Sequence, residues 1–117
     1  KNLKLNQRRN SLPKMTYNET VRAAEKNKNG IDFKFSEDRI LADLQQYVEA
    51  TYDSHYAQTK SYQATEIIID QGHGTGFCMG NIMKYAQRYG KKEGHNKADL
   101  MKVIHYAMIQ LSQDHYK

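Results

Sequence analysis

The sequence predicts a small all-α domain of about four helices, and three observations carry that expectation. Apolar residues recur three and four apart in segments bounded by glycine. Only Ile31, Phe33 and Phe35, alternating with Asp32 and Lys34, follow the two-residue period of a strand, and the stretch is too short to make a sheet alone. No internal repeat and no long linker divides the 117 residues, whose mass of 13.6 kDa suits one domain.

Residues 1–15 are polar and basic and hold the only proline, Pro13, so they read as a flexible arm ahead of a helical domain over 16–117. Thr16 and Glu19 stand in capping-box spacing before Val21, Ala23 and Ala24, which predicts a short helix that ends at the Asn27 to Gly30 cluster. Ile31 to Phe35 is then an extended connector. Ser36 is placed to cap the next helix, Glu37 and Asp38 lie at the positive end of its dipole, and Ile40, Leu41, Leu44, Tyr47 and Val48 keep helical spacing to about Thr51. Another helix begins near Ser61, carries Ala64, Ile67 and Ile68, and stops at Gly72, with Gly74 and Gly76 continuing the break. From Gly76 or Phe77 to about Tyr89, Cys78, Ile82, Tyr85 and Tyr89 mark a further helix that Gly90 ends. Gly80 lies inside it, where glycine costs about 1 kcal/mol relative to alanine, so close approach of a backbone or ligand is expected there. Asn96 is placed to cap the last helix, and Leu100, Val103, Ile104, Ala107, Met108 and Leu111 form its apolar stripe.

Composition narrows the class. Apolar residues make up 38%, Tyr supplies 9 of them, Trp is absent, and the mean hydropathy is −0.91. A chain this short with so thin a core is expected to bury part of its apolar surface between subunits, as a homo-oligomer. No apolar run approaches the roughly 18 residues of a membrane span, and none follows the basic start as a secretory signal would, so neither is expected. The single cysteine, Cys78, allows no internal disulfide and no zinc site of its own, and it fits a reducing compartment as a small core residue.

The net charge of +5 sits wholly in the arm, because Lys1, Lys4, Arg8, Arg9 and Lys14 meet no acid there and residues 15–117 hold 13 basic and 13 acidic side chains. The basic isoelectric point is therefore no argument for a nucleic-acid-binding domain, and any such binding is assigned to the arm alone. Within the neutral remainder, Glu37 to Asp53 is acidic. Lys84 to Lys102 is basic, with Lys84, Arg88, Lys91, Lys92, Lys97 and Lys102 against Glu93 and Asp99. Either the two segments neutralise each other or the basic one binds an anion.

Asn81, Lys84, Tyr85 and Arg88 share a helical face, with Lys91 and Lys92 beyond it. A phosphate ligand calls for a bidentate guanidinium and an ammonium point charge, and a base or sugar calls for an amide and an aromatic wall; this strip holds all four. A solvated basic face would look alike. His55 and Tyr56 lie in a loop after the acidic helix, where an imidazole has no evident core role. Glu66 and Asp70, four apart, have the spacing of two Mg²⁺ carboxylates, although exposed acids at that spacing are commonly plain surface. Gly72, Gly74 and Gly76 precede a helix, yet no GxxxxGK[ST] or GxGxxG pattern is present, so a helix-to-helix turn is the better reading. No HExxH motif and no nucleophile elbow occurs, and His105 reads as a packing or surface residue.

Taken in order, His55-Tyr56, Glu66 to Asp70, Gly80-Asn81-x-x-Lys84-Tyr85-x-x-Arg88, Lys91 or Lys92, Asp99-Leu100-x-Lys102 and Tyr106 form a pattern over about residues 53–111. It resembles a small phage-encoded family that includes the nucleoside monophosphate kinase of certain podoviruses, an enzyme without a P-loop. The resemblance implies an oligomeric, all-helical nucleotide-binding protein in the cytoplasm of an infected bacterium. It implies transfer of phosphate from a nucleoside triphosphate to deoxynucleoside monophosphates, with Mg²⁺ as the expected ion. By motif position it points to His55, Tyr56, Asn81, Lys84, Arg88 and Lys102; read together with the basic strip, Lys84 and Arg88 are expected at the reaction and His55, Tyr56, Asn81, Tyr85, Lys91, Lys92 and Lys102 around the nucleotide. A non-catalytic protein that sequesters a nucleotide and an all-α nucleotide pyrophosphohydrolase share the fold class and the ligand, and stay as alternatives.

Overall fold

The computed structural model describes residues 29–53 and 62–117. Four helices occupy them: α1 Glu37–Asp53, α2 Tyr62–Asp70, α3 Gly74–Arg88 and α4 Lys97–His115. No strand forms among the described residues; the turn after α3 holds only isolated bridges between Lys91 or Lys92 and Gly94. The basic arm, the helix expected from Thr16, and the pair His55 and Tyr56 lie outside the described residues.

α1 starts where Glu37 and Asp38 favour a helix N-terminus, and the Ser36 carbonyl accepts the first bond from Ile40 N–H at 2.9 Å. Ser36 itself stands in the left-handed region at φ 58, an uncommon setting for a residue with a Cβ. Glu37 Oε1 turns back to accept Phe35 N–H at 3.1 Å, which ties the connector to the helix. α1 docks on α4 through an ion pair between Asp43 and Lys97 and through Tyr47 set edge-on to His105 at 5.9 Å. It meets α2 where Tyr52 and Tyr62 stack at 4.6 Å and the Tyr62 hydroxyl bonds Thr51 Oγ1, which in turn donates to Val48 O.

The glycine-rich stretch after α2 is not the open loop that its composition suggests. Gly72, at φ 88, closes α2 in a Schellman pattern, with His73 N–H donating to Ile68 O and Gly72 N–H to Ile69 O, each at 3.0 Å. The next helix begins at once, two residues before its expected start, so Gly74 and Gly76 belong to α3. Gly74 is buried, and a Cβ there would collide with the Gln113 side chain and meet Ile69 Cγ1 at 3.0 Å. Close helix packing at Gly74 accounts for that glycine.

α3 and α4 form an antiparallel hairpin, since early residues of one meet late residues of the other. Gln110 Nε2 donates to Thr75 Oγ1 at 3.0 Å, Phe77 sets its ring edge-on to Tyr106 at 5.7 Å, and Tyr89 packs against His95 at 5.1 Å. Gly90 at φ 85 and Gly94 at φ 68 make the turn, closed by Gly90 N–H to Gly94 O at 2.8 Å. Asn96 caps α4 as expected, its Oδ1 accepting Ala98 N–H at 2.8 Å.

The core is as thin as the composition implied: among the described residues, Leu44, Cys78, Ala98 and Met101 are the buried apolar ones, and of these Cys78 is fully enclosed. The apolar stripe expected on α4 is only partly covered, with Val103, Ile104 and Ala107 half-buried. Leu100, Met108 and Leu111 are exposed while Ala98 and Met101 are buried, because α1 and α3 cover α4 over Lys97, Lys102, His105, Tyr106 and Gln110 instead. Ile40 and Leu41 of α1 are likewise exposed. Among the described residues, no helix is long and apolar enough to cross a membrane.

Candidate functional site

The α3–α4 hairpin gathers three cations around one aromatic ring. Lys84 Nζ lies 4.5 Å from the centroid of Tyr85, Arg88 Cζ 5.4 Å and Lys102 Nζ 5.6 Å. On α3, Arg88 lies three residues after Tyr85 and four after Lys84, the chain neighbour of Tyr85, whereas Lys102 arrives from α4 because the hairpin is antiparallel. Tyr106, one turn beyond Lys102, lies nearly parallel to Tyr85, with 6.2 Å between centroids and 9° between planes. Burial, and then the neighbouring Tyr85, push the Tyr106 hydroxyl above its ordinary value.

The electrostatics are one-sided. A cation on a tyrosine face gains about 0.5–1 kcal/mol at exposed sites, which is weak compensation for three like charges held together. The ion pair formed among the described residues joins Lys97 to Asp43, and no described carboxylate pairs with Lys84, Arg88 or Lys102. Such a cluster is poised for an anion with several oxygens: Arg88 offers two parallel N–H donors, and the two lysines offer mobile point charges.

The other expected residues fall into different places. Asn81 is half-buried one turn before Tyr85 and spends one donor on its own helix, with Nδ2 to Phe77 O at 2.9 Å; its carbonyl oxygen and second N–H are not used by that bond. Lys91 and Lys92 are exposed in the turn that follows Arg88. Glu66 and Asp70 are exposed on α2, and no group of three or more His, Cys, Asp or Glu side chains forms a metal cluster among the described residues. As Mg²⁺ ligands the two would supply two carboxylate oxygens, leaving the remaining octahedral positions to water and phosphate. Gly80 departs from expectation: nothing lies within 4 Å of the place its Cβ would occupy, so no neighbour among the described residues requires a glycine.

His105 and Cys78 are packing residues, as read from the sequence. His105 is half-buried against Tyr47, and burial holds its imidazole below the usual value. Burial pushes the Cys78 thiol up, and Gln113 Nε2 donates to its sulfur at 3.5 Å. Two further residues of the sequence pattern, given no role there, acquire a place in the fold. Tyr106 is the second ring of the cluster, and Asp99 is 3% exposed with Oδ2 buried and without a hydrogen-bond partner. The available signal was their spacing, since Asp99, Lys102 and Tyr106 share one face of α4.

The fold and this cluster define a class: a small all-α protein whose antiparallel helix hairpin displays a cationic and aromatic face. Residues 50–108 match DUF3310, a protein family of unknown function, and the chain belongs to that family. The matched span contains the whole of α2 and α3, both rings and all three cations of the cluster. Comparison with curated proteins and with solved structures gave no match.

Proposed function

We propose that the chain binds a nucleotide on the Tyr85 cluster and acts as a phage nucleotide kinase, moving phosphate from a nucleoside triphosphate to a deoxynucleoside monophosphate in the cytoplasm of the infected host. The observation that carries this reading is the convergence of Lys84, Arg88 and Lys102 on Tyr85 with no described carboxylate paired to them. Phosphoryl transfer asks little covalent chemistry of the protein; positioning and charge neutralisation carry it. Arg88 then clamps phosphate oxygens through its fork, and Lys84 and Lys102 neutralise the charge of the moving group. Tyr85 and Tyr106 provide an aromatic wall, Asn81 a hydrogen-bonding amide, and Lys91 and Lys92 an outer rim of positive charge. Mg²⁺ bound with the triphosphate would draw on Glu66 and Asp70.

The same reading includes a homo-oligomer. Met79 and Met83 on α3 and Leu100 and Leu111 on α4 are exposed on a chain with very few buried apolar residues, and a second copy covering them would extend the core. Light scattering that finds a 13.6 kDa monomer at micromolar concentration rejects that part.

The decisive experiment incubates the full chain with nucleoside mono- and triphosphates and Mg²⁺ and separates the products by chromatography. Phosphate moved onto a monophosphate is the expected result. Release of pyrophosphate would replace the kinase with a pyrophosphohydrolase, and retention of unchanged nucleotide would leave a sequestering protein. Absence of both binding and turnover removes the nucleotide reading altogether.

A further inference from the structure

Lys102 is the member of the cationic cluster that spacing along α3 does not supply. Lys84 and Arg88 are four residues, and so about 6 Å, apart along one helix, where a guanidinium fork beside an ammonium matches a single phosphate group. Lys102 comes to the same ring from α4, with its Nζ 5.6 Å from the Tyr85 centroid. A third cation adds repulsion to a pair that is already uncompensated, and no described carboxylate pairs with any of the three. The small gain of an ammonium on an aromatic face does not offset that repulsion.

Charge and geometry fit a longer anion. A phosphate monoester carries at most two negative charges, both on one phosphorus centre. Satisfying three cations with it draws all of them to one point, against their mutual repulsion. Phosphates joined by anhydride bonds add charge with each link and spread their oxygens along a chain, so cations rooted on two helices are met by separate phosphates. The cluster is open to such a ligand, since Lys84 is exposed and Tyr85, Arg88 and Lys102 are half-buried. Positive charge continues beyond it: Lys91 N–H donates to Arg88 O at 2.9 Å, which holds the exposed Lys91 and Lys92 next to the end of α3.

We propose that the Tyr85 cluster is a subsite for linked phosphates and that Lys102 sets this preference: Arg88 and Lys84 hold one phosphate while Lys102, across the hairpin, holds the phosphate joined to it. The assignment rests on the nucleotide reading given above and deepens it, giving the cluster to the polyphosphate end of the donor and not to the phosphate of the monophosphate acceptor. An inorganic polyphosphate shares that chemistry. Nucleic acid does not, because sugars separate its singly charged phosphates.

The test is calorimetric titration of the full chain at pH 8, above the second phosphate pKa of about 6. Four ligands are compared: inorganic phosphate, tripolyphosphate, deoxyadenosine triphosphate and a single-stranded oligonucleotide. Wild type is expected to bind tripolyphosphate about ten- to a hundredfold tighter than phosphate, the range of one added charged hydrogen bond. Lys102→Ala should remove most of that preference and leave phosphate affinity within about threefold, because Arg88 and Lys84 remain. Lys34→Ala, which deletes an equal charge at an exposed position in the connector before α1, should change neither. Equal affinity of wild type for phosphate and tripolyphosphate overturns the proposal. A preference that survives in Lys102→Ala overturns it too, and so does one that falls equally in Lys34→Ala, the mark of diffuse attraction. Oligonucleotide bound more tightly than tripolyphosphate, and released by Lys102→Ala, replaces it with a nucleic-acid face. Lys102→Gln keeps most of the side-chain stem and takes the place of Lys102→Ala if that variant does not fold; if neither folds, the wild-type comparison and Lys34→Ala decide. Deoxyadenosine triphosphate bound more tightly than tripolyphosphate supports both readings. A Lys102-dependent preference for tripolyphosphate without that further gain keeps the linked-phosphate site and removes the nucleotide, whereas nucleoside triphosphate bound equally well without Lys102 keeps the nucleotide and removes this proposal.

Discussion

Four of the cations between Lys84 and Lys102 end in two unlike surroundings. Lys97 closes on Asp43 across the α1–α4 contact, with side-chain exposures of 32% and 11%. Lys84, Arg88 and Lys102 crowd one tyrosine ring and repel each other. The first arrangement holds two helices together, and its charges are satisfied within the fold. The second has no described carboxylate to pair with inside the fold. A run of basic residues thus divides by neighbour, and a segment's net charge does not say which of its members are spent on structure.

That division predicts effects of different size and kind. The largest belongs to Arg88. Arg88→Ala should weaken phosphate-ligand binding about ten- to a hundredfold while the unfolding midpoint barely moves, and Arg88→Lys should resemble Arg88→Ala because the bidentate fork is lost although the charge remains. Wild-type affinity in Arg88→Ala would break the contrast, since the cluster would then be no more than a solvated face. Asp43→Ala should do the opposite: about 1–2 kcal/mol of stability lost in a denaturant melt, less than for a fully buried pair because Lys97 is a third exposed, with ligand affinity retained.

Smaller effects sharpen the comparison. Gly80→Ala should raise stability by about 0.5–1 kcal/mol, since a Cβ there meets nothing and helix propensity improves. A fall in ligand binding in that variant would mean that a ligand, and not the fold, needs the glycine. The mildest change is one of pH. Burial lowers the folded pKa of His105, so the native state binds fewer protons there than the unfolded chain. Its contribution to stability is full above the ordinary imidazole value of 6.5 and is lost as pH falls from there through the lowered folded pKa. Tyr47, on the other side of that contact, is pushed up to about 12, first by its burial, so its contribution is full below 10.0 and lost as pH rises to about 12. Denaturant melts of wild type and His105→Gln between pH 5 and pH 8 should converge at the acid end; parallel curves would place the imidazole outside the α1–α4 contact.

Much of the helical layout was legible because its signals are local. The cap at Asn96, the stops at Gly72 and Gly90 and the acidic first turn of α1 depend on residues within one helical turn of each other. The candidate strip from Asn81 to Arg88 was legible for the same reason, as neighbours on one helix face. The glycines were harder. Gly72, Gly74 and Gly76 read as one turn, yet Gly72 ends α2, Gly74 admits the side chain of Gln113 from far along the chain, and a Cβ at Gly76 would meet nothing within 4 Å. Composition cannot separate a left-handed turn from a close helix approach, because both favour a residue without a Cβ.

Helix periodicity tells that α4 has an apolar side and a polar one, but its partners decide which side is covered. Of the apolar stripe, Leu100, Met108 and Leu111 face out and Val103, Ile104 and Ala107 are half-buried, while Ala98 and Met101 are enclosed. The antiparallel turn at Gly90 to Gly94 brings α3 over Lys102, Tyr106 and Gln110, and the Asp43–Lys97 pair brings α1 over the adjoining face. Helix formation is a matter of neighbours three and four residues apart, and it was therefore readable along the chain. Lys102 beside Arg88, and a buried carboxylate at Asp99, arise from contacts between separate helices, which depend on packing geometry that no local pattern encodes.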